Sequence, residues 1–102
     1  MPPLRKAGCA YILTNKWHTV LYTGMSSDLR GRIWEHRMHK YPKSFTARYN
    51  CTQLVYFACF DSIAQAVTAE KRIKGGSRFD KETLIRSKNP DWEDLWDSIQ
   101  EF

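Results

Sequence analysis

With 102 residues, 14% of them aromatic, the chain has the size of one domain and enough bulky apolar residues for a core that needs no disulfide or metal staples. The opening MPPLRKAG lacks the apolar run of a signal peptide, and no stretch approaches the ~20 apolar residues of a membrane span, so the expected setting is the cytoplasm, without a membrane. The net charge is +5, but residues 1–90 hold all 16 Lys and Arg and only six of the eleven acids, a basic body that suits a polyanion, with nucleic acid ahead of a membrane surface and plain solubility as the alternative.

CAYILTN and TVLYTG, separated by KWH, are rich in β-branched and aromatic residues and predict a hairpin whose second strand turns over at Gly24. If the loop is centred between Lys16 and Trp17, opposed residue numbers sum to 33 and Tyr11 faces Tyr22, with Cβ atoms ~4.5–5.5 Å apart. Such a pair is either a stabilising aromatic contact or two phenols able to hold, orient or deprotonate a water. SSDLRGRIWEHRMHK then reads as a helix capped by Ser26 or Ser27, with Asp28 placing negative charge in its first turn. Leu29 and Ile33 mark its buried stripe. On the helical wheel Arg32 lies about 60° and His36 about 20° from Leu29, so both look back toward the sheet while Arg30 and Trp34 point elsewhere. A snorkelling arginine and a histidine bonded to backbone would share that pattern. His39 makes an H-x-x-H pair with His36, but no third ligand for zinc is apparent.

YPKSFTARYNCT reads as an irregular basic loop, and QLVYFACF as a strand covered on both faces. In SIAQAVTAEKRIKGG, Ser62 and Gln65 stand in capping-box register, and Gly75 and Gly76 mark the helix end. Ile63, Ala66 and Val67 define the apolar stripe of this helix, and Glu70 lies about 20° from Ile63 on the wheel, which aims a carboxylate at the core. Burying an unpaired charge costs several kcal/mol, so Glu70 is expected to meet a cation: Arg32 in a structural ion pair, a lysine, or a metal ion. Lys71, Arg72 and Lys74 read as solvated or phosphate-facing charges. RFDKETLIRSK is a further short helix, Asn89-Pro90 a cap and helix start, and DWEDLWDSI a last helix that docks through Trp92, Leu95, Trp96 and Ile99.

The order β-β-α-β-α-α-α predicts an α+β fold in which a small three-stranded, mainly antiparallel sheet is flanked by helices. One domain spans residues 1–102, with a core at about 8–90 and the docking helix at about 90–100. Cys9, Cys51 and Cys59 are odd in number and far apart in sequence, and read as buried thiols in a reducing compartment.

Taken together, Tyr11 in CAYIL, Tyr22 and Gly24 in LYTG, Arg32 and His36 in DLRGRIWEH, and Glu70 in AEKRIKGG resemble the GIY-YIG nuclease superfamily of homing and excision-repair endonucleases. The stretch from AEKRIKG to NPDWEDL is similar to its small standalone bacterial members. The first motif reads Cys9-Ala10-Tyr11 in place of Gly-Ile-Tyr, the second Tyr-Thr-Gly in place of Tyr-Ile-Gly, and Met25 stands at a position that is often basic. The resemblance implies an endonuclease that hydrolyses phosphodiester bonds in nucleic acid, DNA ahead of RNA, in repair or processing. It implies Glu70 as ligand of one Mg²⁺ or Mn²⁺, Arg32 as neutraliser of phosphate charge, and Tyr11 and Tyr22 as holders of the attacking water. His36 is then available to take a tyrosine's proton or bind phosphate, and Asn89 matches a late active-site asparagine. Lys43 and Arg48 in the basic loop, and Lys71, Lys74 and Arg78 beyond Glu70, would track the backbone. With no appended reader domain, a protein partner for targeting fits. The rival readings are a nucleic-acid-binding accessory module of the same fold with little cleavage, and a structural protein in which Arg32 and Glu70 form a core ion pair.

Overall fold

A computed structural model describes residues 6–102. Met1–Arg5, the start of the segment read as lacking a leader, lies outside the described residues. The sheet has three antiparallel strands, β1 (Gly8–Thr14), β2 (Leu21–Ser26) and β3 (Gln53–Phe60), in the order β2-β1-β3. The strand buried along its whole length is β1, which lies in the middle; β3 is an edge strand whose second half is only partly covered. Helices α1 (Leu29–Arg37), α2 (Phe45–Arg48), α3 (Ile63–Gly75) and α4 (Arg78–Lys88) follow, and a 3-10 helix spans Leu95–Ile99. The α+β arrangement is the expected one, with a one-turn helix inside the basic loop in addition. Among the described residues no helix is long and apolar enough to cross a membrane.

Alternation along β1 divides the core. Cys9, Tyr11 and Leu13 point to one face, where Leu29 and Ile33 of α1, Leu54, Cys51 and Ile99 close over them. Ile12 points to the other, against Val55, Tyr56 and Ile85, with Ile73, Leu84 and Trp92 at the margin. Cys9 and Cys59 are direct partners across β1 and β3 and are joined as a disulfide, which corrects the reading of isolated thiols: strand pairing makes neighbours of residues 50 apart in sequence. Cys51 is a free, buried thiol whose pKa burial pushes up to about 11.

The hairpin register differs from expectation by two. Tyr11 faces Gly24, and Tyr22 faces Leu13. The loop is longer than KWH because Asn15 organises it: its Oδ1 accepts from the Thr19 and Val20 amides, and its Nδ2 donates to Thr19 Oγ1. That moves the loop centre to between Trp17 and His18, with His18 left-handed at φ 56°. Consequently β2 does not end at Gly24 but runs through it to Ser26.

The cap of α1 is Asp28, whose carboxylate accepts from the Gly31 amide, rather than Ser26 or Ser27. Helix α3 is capped by Ser62 as expected. The C-terminal segment does not form one α-helical stripe. Trp92 adopts φ 54° and stacks on His18, toward the second core cluster, while Leu95, Trp96 and Ile99 pack on the first. Asp94 pins the segment, its Oδ1 accepting from the Leu54 and Trp96 amides and its Oδ2 from Arg37 Nη1 at 2.7 Å.

Candidate active site

Tyr11 stands in the middle of the sheet, 1% exposed, with its ring over the backbone of β2. A Cβ at Gly24 would lie 2.5 Å from Tyr11 Cζ and hydroxyl oxygen, so the glycine is required by close approach rather than by backbone conformation. Tyr22 lies on the same sheet face, two residue pairs along, at 6.5 Å between ring centroids. The two phenols therefore share a face although they do not oppose each other.

The helical phase of α1 delivers His36 to this pair. Its Nε2 is 3.0 Å from the Tyr11 hydroxyl, and its Nδ1 is 2.9 Å from Thr46 Oγ1. Ser44 Oγ, which caps α2 by accepting from the Ala47 amide, stands 3.3 Å beyond. A consistent assignment has Tyr11 donating to Nε2, Nδ1–H donating to Thr46, and Thr46 donating to Ser44. Burial, reinforced by the Arg32 charge, pushes the His36 pKa down to about 4, so the ring is neutral near pH 7. Burial likewise raises Tyr11 to about 12, against the opposing pull of the neighbouring Arg32 guanidinium. Arg32, 39% exposed, makes a loose 3.7 Å ion pair with Glu35, and Glu35 also binds Lys40 at 2.8 Å. A cavity of about 360 Å³ is lined by Tyr22, Arg32, His36, Tyr41, Ser44, Phe45 and Thr46. Arg32 also lines a second cavity with Met25, Glu35 and Ile63.

Glu70 is not aimed into the core. Ile63, taken as the centre of the apolar stripe of α3, is exposed, and the buried face is centred on Ala66. The Glu70 side chain is 21% exposed and its cation is Lys74, one turn on, at 3.5 Å. Its charge still reaches the site, since it contributes to raising the Tyr11 pKa. Arg32 and Glu70 are thus paired with other residues, and the expected alternative of a core Arg–Glu pair does not describe this molecule.

Other expected positions fall differently. Lys43, Arg48 and Lys71 are exposed and make no ion pair among the described residues. Arg78 donates to the His18 and Thr19 carbonyls and pairs with Glu82, tying α4 to the hairpin loop. Asn89 is buried and holds the chain at the end of α4, donating to the Val55 and Glu93 carbonyls and accepting from the Glu93 amide. His39 is exposed with φ 52°, outside α1, so no H-x-x-H pair forms. Thr46, Ser44 and Phe45 were not singled out by sequence; the one available cue was Ser44 as a helix cap within the loop.

The site thus combines a buried, hydrogen-bonded phenol and a neutral histidine with a neighbouring arginine on one face of a three-stranded antiparallel sheet. The chain belongs to the GIY-YIG family: the model of the GIY-YIG catalytic domain matches residues 7–83. It is similar to a UPF0213 protein of Haloquadratum walsbyi, 38% identical over 64 residues that cover 63% of this chain and 71% of that protein. A UPF0213 protein of Syntrophus aciditrophicus is 34% identical over 71 residues, 70% of this chain and 80% of that one. The solution NMR structure of a UPF0213 protein of Bacillus halodurans has the same fold, with TM-score 0.55, 31% identity, and coverage of 86% of this chain and 92% of the other.

The His36 environment carries a pH prediction. A folded-state pKa near 4, below the unfolded value of about 6.5, means that the unfolded chain binds the extra proton first as pH falls. The associated stability is present in full above pH 6.5 and is lost as pH falls toward 4. Thermal melts at pH 7 and pH 4 should show the wild type losing about 1–3 kcal/mol more than His36→Gln; equal losses would place the acid sensitivity elsewhere.

Proposed function

We propose that the protein is a divalent-metal-dependent endonuclease that hydrolyses phosphodiester bonds in DNA, acting in repair or processing. The observation that carries this reading is the convergence of Tyr22, Arg32 and His36 on one cavity, with Tyr11 hydrogen-bonded behind it and the Glu70 charge felt at Tyr11.

The donor set fits a hard cation held mainly by water and substrate. Among the described residues no group of three His, Cys, Asp or Glu could cage a metal. A single half-buried carboxylate suits Mg²⁺ or Mn²⁺, which keep several waters and take other ligands from phosphate. Glu70 would hold it, releasing an exposed i,i+4 contact with Lys74 that is worth only ~0.3–0.5 kcal/mol. Such an ion supplies charge stabilisation at the phosphate and lowers the pKa of water.

The chain's own groups do the rest. Arg32 turns its planar fork from the loose Glu35 contact to two phosphate oxygens, where negative charge builds during attack. Tyr22, which lines the cavity, is the phenol placed to touch the attacking water. Tyr11, its pKa pushed by burial up to about 12, stays protonated and acts as a positioning residue: it donates a hydrogen bond to the neutral Nε2 of His36, whose Nδ1 is held by Thr46. Exposed Lys43, Arg48 and Lys71 meet the backbone without reading sequence.

The test is cleavage of single-stranded, duplex and branched DNA, and of RNA, under Mg²⁺ or Mn²⁺ and under EDTA. Metal-dependent cutting that falls by at least about 10²-fold in folded Glu70→Gln is expected. Salt-sensitive binding with no cutting of any substrate would instead support the accessory-module reading.

A further inference from the structure

Tyr22 is the first of three aromatic rings that continue outward from the cavity. Phe45 lies nearly parallel to it, with centroids 6.0 Å apart and planes at 29°, and Tyr49, one helical turn beyond Phe45, follows at 4.7 Å. Large aromatic side chains normally cover a core, yet Phe45 is 47% and Tyr49 42% exposed, and Tyr41 on the cavity rim is 52% exposed. The rings sit in a cationic segment: from His36 to Phe60 there is no Asp or Glu, and Lys43 and Arg48 flank them, while Lys40 is held by Glu35. Arg37, also in this segment, is occupied by Asp94. The α2 cap, Ser44, fixes the ledge to the hydrogen-bonded chain that ends on Tyr11.

A paired duplex shows phosphates and groove edges to a protein and keeps its base faces hidden. Exposed rings next to cations and the cavity are useful when bases are free to stack. We propose, building on the nuclease reading above, that the Phe45–Tyr49 ledge binds unpaired bases beside the scissile phosphate, so that the preferred substrate is a single-stranded DNA segment. Phe45 and Tyr49 are then substrate-binding residues, with Lys43 and Arg48 on the flanking phosphates.

The test measures binding in EDTA, where no cleavage is required, by fluorescence anisotropy of a labelled 15-nucleotide oligothymidylate. The comparisons are a strand of equal length and charge with abasic sites in place of bases, and a 15-base-pair duplex. The wild type should bind the thymidylate strand about tenfold more tightly than either, one stacked base being worth about that factor. Phe45→Leu and Tyr49→Leu, which keep apolar bulk but lose the π face, should each reduce that preference at least threefold, with melting temperatures checked alongside. Equal affinity for thymidylate and abasic strands, tighter binding of the duplex, or an undiminished preference in folded leucine variants would each overturn the ledge. Cleavage under Mg²⁺ is scored separately: a protein that shows the ledge preference yet cuts nothing keeps this inference as a binding mode and removes the nuclease reading.

Discussion

Arg32→Ala should leave a folded protein whose metal-dependent cleavage is slower by about 10²–10³-fold, the cost of removing one preorganised donor from a developing oxyanion. The fold should tolerate the change because the side chain is 39% exposed and its 3.7 Å pair with Glu35 is the kind of surface contact worth at most ~1 kcal/mol. The chemistry should not tolerate it, since Arg32 is the only Lys or Arg among the residues lining the cavity. Arg32→Lys separates charge from geometry: it keeps the cation and loses the bidentate fork, so an intermediate rate is expected. Single-turnover rates on the best substrate, measured beside melting curves, decide the matter. An Arg32→Ala protein that melts and cuts like the wild type would remove Arg32 from the chemistry. Removal of the arginine also takes a positive charge from beside His36 and Tyr11, so it should ease protonation of the ring and make the phenol harder to ionise.

What was legible in the sequence follows from how local its cause is. The period of a nine-residue helix is set by its own backbone, and Leu29 and Ile33 fix which side is down, so the sequence alone puts Arg32 and His36 on the flank of α1 that turns toward Tyr11. Tyr11 and Tyr22 were placed on one sheet face because side-chain alternation survives a register change of two. Their opposition was not legible, since it hung on a loop whose length Asn15 sets through its side chain. Glu70 departs from expectation for a related reason. A wheel of α3 centred on Ile63 puts Glu70 in the apolar stripe, but the helix rests on the sheet through Ala66, close to Gly8, so the stripe is rotated and the carboxylate sits at a margin.

Long-range polar ties were the least legible. Arg78 and Asn89 have the composition of ligand-binding residues, yet their partners are carbonyls of the hairpin loop and of β3, 34–60 residues away, which no local pattern encodes. The same holds for Asp94, which looked like one acid among five and is the pin that closes the C-terminal segment over Leu54. In each case an exposed-looking charge or amide is consumed by backbone groups left over at element ends, where unpaired carbonyls and amides need partners.

Gly24→Ala should damage both stability and activity, and through one contact. The added methyl would stand 2.5 Å from Tyr11 Cζ and its hydroxyl oxygen and 3.0 Å from Cε2, closer than real Cβ atoms come, so either the ring or β2 must move. The ring has little room, being 1% exposed and packed within the core cluster on that sheet face. Overpacking of this kind costs about 1–3 kcal/mol, and at roughly 4–8 °C per kcal/mol for a domain of this size the melting temperature should fall by about 5–20 °C. If the ring moves, the Tyr11–His36 contact at 3.0 Å is strained or lost, and if β2 moves, Tyr22 two residues away is displaced; a displacement of ~1 Å in such a constellation can cost 10²-fold in rate. A Tyr11→Phe, Gly24→Ala double variant distinguishes crowding from backbone effects. Removing the hydroxyl takes away one of the two atoms at 2.5 Å, so part of the lost stability should return while activity stays low. Stability unchanged between the single and double variants would assign the defect to the strand instead, and a Gly24→Ala protein with wild-type melting and cleavage would mean that the ring does not lie where the register of β1 and β2 puts it.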